Sequence, residues 1–271
     1  MTELFGRDDA ARHIAVPRED DDKYRRGVLG VLTGSTRYPG AAVLGVEAAL
    51  HTGVGMLRYL GPERAADFVL QRRPEAVTAP GRVQAWLLGS GMDAADREPE
   101  AARRLDEAIE QGLPTVFDAG ALDLAERAGG VAVITPHAGE LARMLGADRA
   151  DIESDPADWA ERAADRFGVT VLLKGHTTHV VGGGVRLTAR SAPAWLATAG
   201  SGDALGGILG ALLATHADGV ADDPTLPARL AATAAVLHGL AGERASGGGP
   251  VTVLGLIAAL PATIAELLAE R

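Results

Sequence analysis

The sequence predicts an α/β fold whose central sheet is mostly parallel and covered by helices on both faces. Two observations lead there. Short apolar runs alternate with stretches of helical composition along most of the 271 residues, and that alternation builds parallel sheets between helical layers. The apolar runs also end in glycines or polar residues, as buried strands do where they leave a sheet at its ligand-binding edge.

The elements follow in order. Gly27–Thr33 reads as a buried strand and Gly40–Thr52 as a helix after a Gly/Ser/Pro loop. Met56–Leu60 is a second strand, and Val83–Leu88 a third that stops at Gly89-Ser90-Gly91. Glu98–Gln111 is a charged amphipathic helix. Pro114–Phe117 and Val131–Ile134 are strands ending at Asp118 and at Thr135-Pro136-His137. Glu140–Leu145 and Ala157–Phe167 are helical, with the polar, Pro-interrupted stretch Asp148–Asp158 as a surface loop. Val169–Leu173 is a strand ending at Lys174-Gly175. Thr178–Val181 and Val185–Thr188, separated by three glycines, form a hairpin. Asp203–Thr215, Pro227–Ala245 and Thr252–Leu268 are helices, the last expected to break near Pro261. Residues 1–26 are expected to be a polar segment ahead of a single domain over residues 27–271.

Composition narrows the function. Lys+Arg number 26 against 36 Asp+Glu, for a net charge of −10, which argues against nucleic acid as a partner. Cysteine is absent, so disulfides, thiolate catalysis and thiolate zinc sites are excluded. The longest apolar runs, Ala204–Ala214 and Val253–Leu260, fall well short of the ~20 residues of a membrane span. The first 26 residues are charged throughout and lack the apolar stretch of an export signal. A cytoplasmic protein is the expectation. The only lysines are Lys23 and Lys174, so a step needing an ammonium in the folded body points to Lys174.

Five glycine-rich or polar clusters after five strands suggest one shared cleft. The sharpest segment is Ala199-Gly200-Ser201-Gly202-Asp203-Ala204-Leu205-Gly206-Gly207, small residues running directly into an apolar helix. Two readings fit it. Glycines can turn the backbone so that its N–H groups converge at a helix N-terminus, which binds an anion such as a transferring phosphoryl group, with Asp203 placed to take a proton from an attacking hydroxyl. Alternatively Ser201 or Asp203 is an N-cap and the glycines permit close packing. There is no GxxxxGK for a P-loop and no GxGxxG after the first strand.

Together these residues form a family resemblance. A glycine-rich anion hole followed by Asp late in an α/β chain resembles the ribokinase-like superfamily, a three-layer α/β/α fold. Gly34-Ser35, Tyr38-Pro39-Gly40-Ala41-Ala42, Leu44 and Ala49-Leu50…Thr52-Gly53-Val54-Gly55 resemble the N-terminal signature of the ADP-dependent NAD(P)H-hydrate dehydratase family. Asp118-Ala119…Ala121-Leu122, Leu173-Lys174-Gly175-His176-Thr177-Thr178 and Gly200-Ser201-Gly202-Asp203 are similar to its aspartate-alanine segment, nucleotide loop and anion hole. Val236-Leu237-His238-Gly239-Leu240-Ala241-Gly242 is similar to one of its late helices. Thr135-Pro136-His137-Ala138-Gly139-Glu140 resembles its most distinctive motif and separates this branch from ordinary sugar and vitamin kinases.

The resemblance implies a repair lyase. Its substrates are the hydrated forms of NADH and NADPH; ADP phosphorylates the ring hydroxyl, phosphate is eliminated, and NAD(P)H and AMP are left. It implies that Ala41, Gly91, His137 and Asp203 contact the hydrated dinucleotide. Lys174, Gly175, His176, Thr177, Thr178 and Gly202 contact the adenine nucleotide, and Gly200, Ser201, Gly202 and Asp203 carry phosphoryl transfer, with Asp203 as base. Mg²⁺ would neutralise the phosphates. A homotetramer, and an epimerase on another chain as functional partner, complete the expectation, since ~30 residues ahead of the first strand do not make a domain of 50 or more. His137 could instead cap the following helix. Asp118 could be a turn residue and Glu140 a helix-dipole partner, so both rank below the sites named. His51, His216 and His238 lie in apolar helices, as core or surface residues and not as metal ligands. Two departures stand out: Ser201 replaces a more usual Thr, and Gly89-Ser90-Gly91-Met92-Asp93 lacks a proline and a further glycine. The rival enzyme is an ATP-dependent kinase of a small alcohol such as a hydroxymethylpyrimidine; a non-catalytic nucleotide sensor would have no need of Asp203.

Overall fold

The computed structural model describes residues 2–190 and 192–271. A nine-stranded sheet runs through it in the order β1-β9-β8-β7-β6-β5-β4-β2-β3. The strands are β1 Glu3–Leu4, β2 Val28–Leu32, β3 Met56–Tyr59, β4 Ala85–Leu88, β5 Thr115–Phe117, β6 Ala132–Ile134, β7 Thr170–Leu173, β8 Thr178–Gly182 and β9 Val185–Ala189. All pairings are parallel except those of β8, which runs antiparallel to β7 and β9. The three-layer, mostly parallel architecture expected from the sequence is the one found.

The helices are α1 Arg7–Arg12, α2 Pro39–Thr52, α3 Glu63–Arg72, α4 Pro99–Ile109, α5 Ala138–Leu145, α6 Arg149–Ser154, α7 Pro156–Phe167, α8 Ser201–Thr215, α9 Ala217–Val220, α10 Leu226–Ser246 and α11 Val253–Ala269. Side-chain alternation along the strands feeds two cores. Leu29, Val31, Ala85 and Leu87 face the layer of α1, α2, α3, α8, α10 and α11. Val28, Leu32, Trp86 and Leu88 face the layer of α4, α5, α6, α7 and the 3-10 segment Ala119–Arg127. Gly30 lies opposite Trp86 in the register, where an added Cβ would come within 2.4 Å of the indole.

Three expectations are corrected. Residues 1–26 do not all lie outside the domain: β1 pairs with β9, and Phe5, Ala10, Ala11 and Ile14 are buried. These four apolar side chains, interspersed among charges, bury enough surface to hold the segment down. The stretch Asp148–Asp158 is not a loop. Ile152 is fully buried and anchors α6, and Asp155 and Pro156 start α7 as N-cap and first helical residue. Helix α11 runs unbroken through Pro261. Leu260, Thr263 and Leu267, buried on either side of that proline, hold the helix in place against the lost backbone hydrogen bond.

What positions the site is the meeting of α2 and α8. Gly207 on α8 and Gly45 on α2 touch backbone to backbone: a Cβ on Gly207 would lie 2.2 Å from the Gly45 carbonyl oxygen. This contact brings the start of α8, with Asp203, alongside α2, which carries Ala41.

Candidate active site

The strands end on one edge, and the polar residues collect there. Asp118 follows β5, buried at 3% exposure. Its Oδ1 accepts from Thr135 Oγ1 at 2.7 Å and from Lys174 Nζ at 2.9 Å; its Oδ2 accepts from Ser90 Oγ at 2.9 Å. Four strand ends, those of β4, β5, β6 and β7, are thus joined through one carboxylate. Burial pushes the Asp118 carboxyl up, but the Lys174 ammonium and the three hydrogen bonds outweigh it and hold it below the usual range. Burial likewise pushes Lys174 down, and Asp118, with Glu140 3.8 Å from Nζ, more than restores it.

The anion loop lies against this pair. Gly200 takes a left-handed φ of 90° and caps α8, a conformation open to glycine at little cost. A Cβ on Gly200 would meet Leu44 at 2.6 Å, and one on Gly202 would lie 3.5 Å from Lys174 Nζ. Space and φ together thus favour glycine at position 200, while a side chain at 202 would stand directly against the Lys174 ammonium. Asp203 sits in the first turn of α8, half-buried. Burial, with Asp118 adding to it and Lys174 opposing it, pushes its carboxyl up to about 6. Such a carboxylate accepts a proton readily near neutral pH.

His137 caps the helix that follows it, as one of the two readings of the sequence has it. Its Nδ1 accepts from the Gly139 and Glu140 backbone N–H groups at 3.1 and 3.2 Å, and Glu140 Oε2 accepts from the His137 N–H at 2.8 Å, a reciprocal cap of α5. With Nδ1 accepting, the hydrogen of the neutral ring is on Nε2, 3.6 Å from Glu140 Oε1. The ring can donate to a ligand from Nε2 and cannot serve as a base through Nδ1. Burial, with Lys174, Arg143 and Arg149 against Glu140, holds its pKa down.

Ala41 and Gly91 come together at the other end of the cleft. Gly91 has φ 70°, and a Cβ on it would lie 2.4 Å from the Ala41 Cβ. Beside them Gly34, Tyr38, Met92 and Arg97 contribute to the walls of a cavity of about 220 Å³. Gly175 and His176 are exposed and Thr177 and Thr178 half-buried in the turn into β8; Lys174 is the member of that segment in contact with the anion loop. Sequence reasoning ranked Asp118 and Glu140 below the other sites, and gave no separate role to Thr135 and Ser90. Their shared signal was position, each standing immediately after or within a few residues of a strand end. Among the described residues no group of three His, Asp or Glu side chains could hold a metal ion.

The NAD(P)H-hydrate dehydratase family profile matches residues 29–257. The bifunctional NAD(P)H-hydrate repair enzyme Nnr of Mycobacterium tuberculosis is 43% identical over 225 residues, 78% of this chain and 46% of that protein. The chain thus spans about half the length of the bifunctional relatives it matches. The ADP-dependent (S)-NAD(P)H-hydrate dehydratase of Xanthomonas campestris is 34% identical over 233 residues, 77% of this chain and 80% of that one. In fold, the ADP/ATP-dependent NAD(P)H-hydrate dehydratase of Bacillus subtilis, co-crystallized with ATP/Mg²⁺, superposes with a TM-score of 0.85 at 22% identity, over 98% of this chain and 99% of that one. With its profile match spanning nearly the whole α/β domain and the motif residues converging on one strand-end cleft, the chain belongs to the NAD(P)H-hydrate dehydratase family.

Proposed function

We propose that the protein dehydrates the S-form of hydrated NADH and NADPH at the expense of ADP. The observation that carries this is Asp203: a carboxyl pushed up to about 6, at a glycine-bounded helix N-terminus, beside the Lys174–Asp118 pair. The ring hydroxyl oxygen attacks the β-phosphorus of ADP, the bond to AMP breaks, and Asp203 takes the hydroxyl proton. The N–H groups of Gly200–Asp203 and the dipole of α8 stabilise the transferring oxygens. Phosphate then leaves with the C–O electron pair, a neighbouring ring carbon loses a proton, and the double bond re-forms. Hydroxide is a poor leaving group and phosphate a good one, which is why a nucleotide is spent on a dehydration.

Ala41, Gly91 and the Nε2–H of His137 would hold the dinucleotide; Lys174 through Thr178, with Gly202, would hold the nucleotide. The described residues form no metal cage, and Asp118 is fully engaged. Mg²⁺ fits here as an ion carried on the nucleotide's own phosphates, where it would neutralise their charge. A homotetramer in the cytoplasm, fed with the S-form by an epimerase on another chain, completes the reading; no described helix is long and apolar enough to cross a membrane. The test is recovery of reduced-nicotinamide absorbance from the S-hydrate with ADP, and separately with ATP. Recovery with ADP is expected; no recovery with either nucleotide sinks the reading, and phosphorylation of a small alcohol instead would favour the kinase alternative.

A further inference from the structure

His238 stands on α10, buried at 8% exposure, against the first residue of α8. Its Nε2 lies 3.0 Å from Ser201 Oγ and 3.0 Å from the Ser201 carbonyl oxygen. A carbonyl oxygen only accepts. A bare Nε2 would set lone pair against lone pair at that distance, so the contact is satisfied only with the hydrogen on Nε2. Burial holds the imidazole down, to about 4, and a neutral ring carries one N–H. That hydrogen is shared between the carbonyl and hydroxyl oxygens of Ser201. Ser201 Oγ is then the acceptor, and its own O–H turns away from the ring.

We infer that His238 is a positioning residue: its Nε2–H, given to both oxygens of Ser201, fixes the Ser201 hydroxyl as a donor to the transferring phosphoryl group. This rests on the proposed reaction. It gives the buried histidine a polar task, and it makes Ser201 a working member of the anion loop rather than a helix cap: Gly200 is the N-cap of α8, and the Ser201 hydroxyl is hydrogen-bonded to His238.

Four variants test it: His238→Leu, His238→Gln, Ser201→Ala and the Ser201→Ala/His238→Leu pair, each followed by kcat, KM for ADP and thermal unfolding. His238→Leu is expected to lower kcat about tenfold or more, the rate equivalent of one hydrogen bond to a charged group. KM for ADP should stay within about twofold, because the donor acts on the transferring group. Gln, whose amide can reach the same oxygens, should restore most of kcat. In the Ser201→Ala background His238→Leu should cost less than about twofold more, the non-additivity of two residues acting as one. Equal losses in both backgrounds, no loss in either, or Gln as poor as Leu would overturn the inference; a purely structural histidine would give the first of these with a lowered Tm. Nitrogen NMR of the wild-type imidazole decides the tautomer without any turnover: a proton on Nε2 supports the inference and one on Nδ1 overturns it. A wild-type protein that repairs no hydrate fails the functional reading alone, because the NMR result still stands or falls by itself.

Discussion

Asp203 is under two opposed demands. A base for a hydroxyl needs a raised pKa, and burial beside Asp118 supplies it, to about 6 from an ordinary 3.8. Activity should therefore fall about tenfold per pH unit below about pH 6, as the base becomes protonated. Replacing Asp118 by Asn removes a neighbouring negative charge and leaves Lys174, so the acidic limb of the kcat/KM profile should move to lower pH; an unmoved limb would mean that another group titrates. The same shift has a stability sign. A carboxyl that binds its proton more tightly folded than unfolded destabilises the fold once it is ionised in both states. Asp203→Asn should abolish turnover, keep nucleotide binding, and raise stability at neutral pH by ~2 kcal/mol, with the gain shrinking as pH falls from about 6 towards 3.8. Denaturant melts at several pH values check this. Lys174 differs from its sequence-level picture. The scarcity of lysine singled it out as a phosphate ligand, yet its ammonium also neutralises a buried aspartate. Lys174→Ala should weaken ADP binding and destabilise the fold by about 3–5 kcal/mol, because Asp118 is left charged and unpaired. Adding Asp118→Asn should recover much of the stability and none of the ADP affinity. Calorimetric titration with ADP, paired with thermal melts, separates the two roles.

At the level of elements, the site depends on how close α2 and α8 lie. Gly207→Ala would place a Cβ 2.2 Å from the Gly45 carbonyl oxygen and 2.9 Å from Ala48 Cβ. The helices must separate, at about 1–3 kcal/mol for an overpacked contact. Because Ala41 and Asp203 sit on the two helices, KM for the dinucleotide should rise along with the loss in Tm; a lower Tm with unchanged KM would show that the site tolerates the separation. Elements of this kind were legible in the sequence wherever the local pattern is strong. The buried strands β2, β4 and β7 are near-continuous apolar runs, and β8 and β9 are marked by their three glycines. Helices α1 and α3 were also passed over, and two further elements that sequence reasoning missed depend on distant partners. β1 is two residues whose pairing is with β9, more than 180 residues away, and α6 is anchored by the single side chain of Ile152. In the site, the glycine-rich loop and the His137 motif were readable because small residues and a Thr-Pro-His run are locally unusual. Asp118, Ser90 and Thr135 were visible as members of the strand-end clusters, but their joint role was not, since it lies in four strand ends converging on one carboxylate. His238 was hidden for the same reason: on α10 it is one polar residue in an apolar helix, and only the fold sets it against Ser201.

Charge is a property of the whole molecule, and here it opposes the proposed ligands. A net charge of −10 repels both a hydrated dinucleotide and ADP, so long-range steering cannot bring them in. Binding has to arise at short range, from the N–H groups of Gly200–Asp203, the dipole of α8, and Lys174, the one lysine at the strand ends. Even that ammonium is largely offset by Asp118 and Glu140 within 4 Å. Salt distinguishes this arrangement from a steered enzyme. Raising ionic strength from about 10 to about 100 mM shortens the screening length from ~30 to ~10 Å. That weakens the repulsion between the distant surface charges and the incoming phosphates, while contacts inside the cleft, being within a few ångströms, are screened much less. kcat/KM for the dinucleotide should therefore hold level or rise across this range, the opposite of the steep fall seen where a positive field guides the substrate. Steady-state rates at fixed Mg²⁺ and subsaturating dinucleotide measure it. A steep fall would mean that the arginines lining the cavity beside Gly34 and Met92, Arg37 and Arg97, outweigh the overall charge and draw the phosphates in.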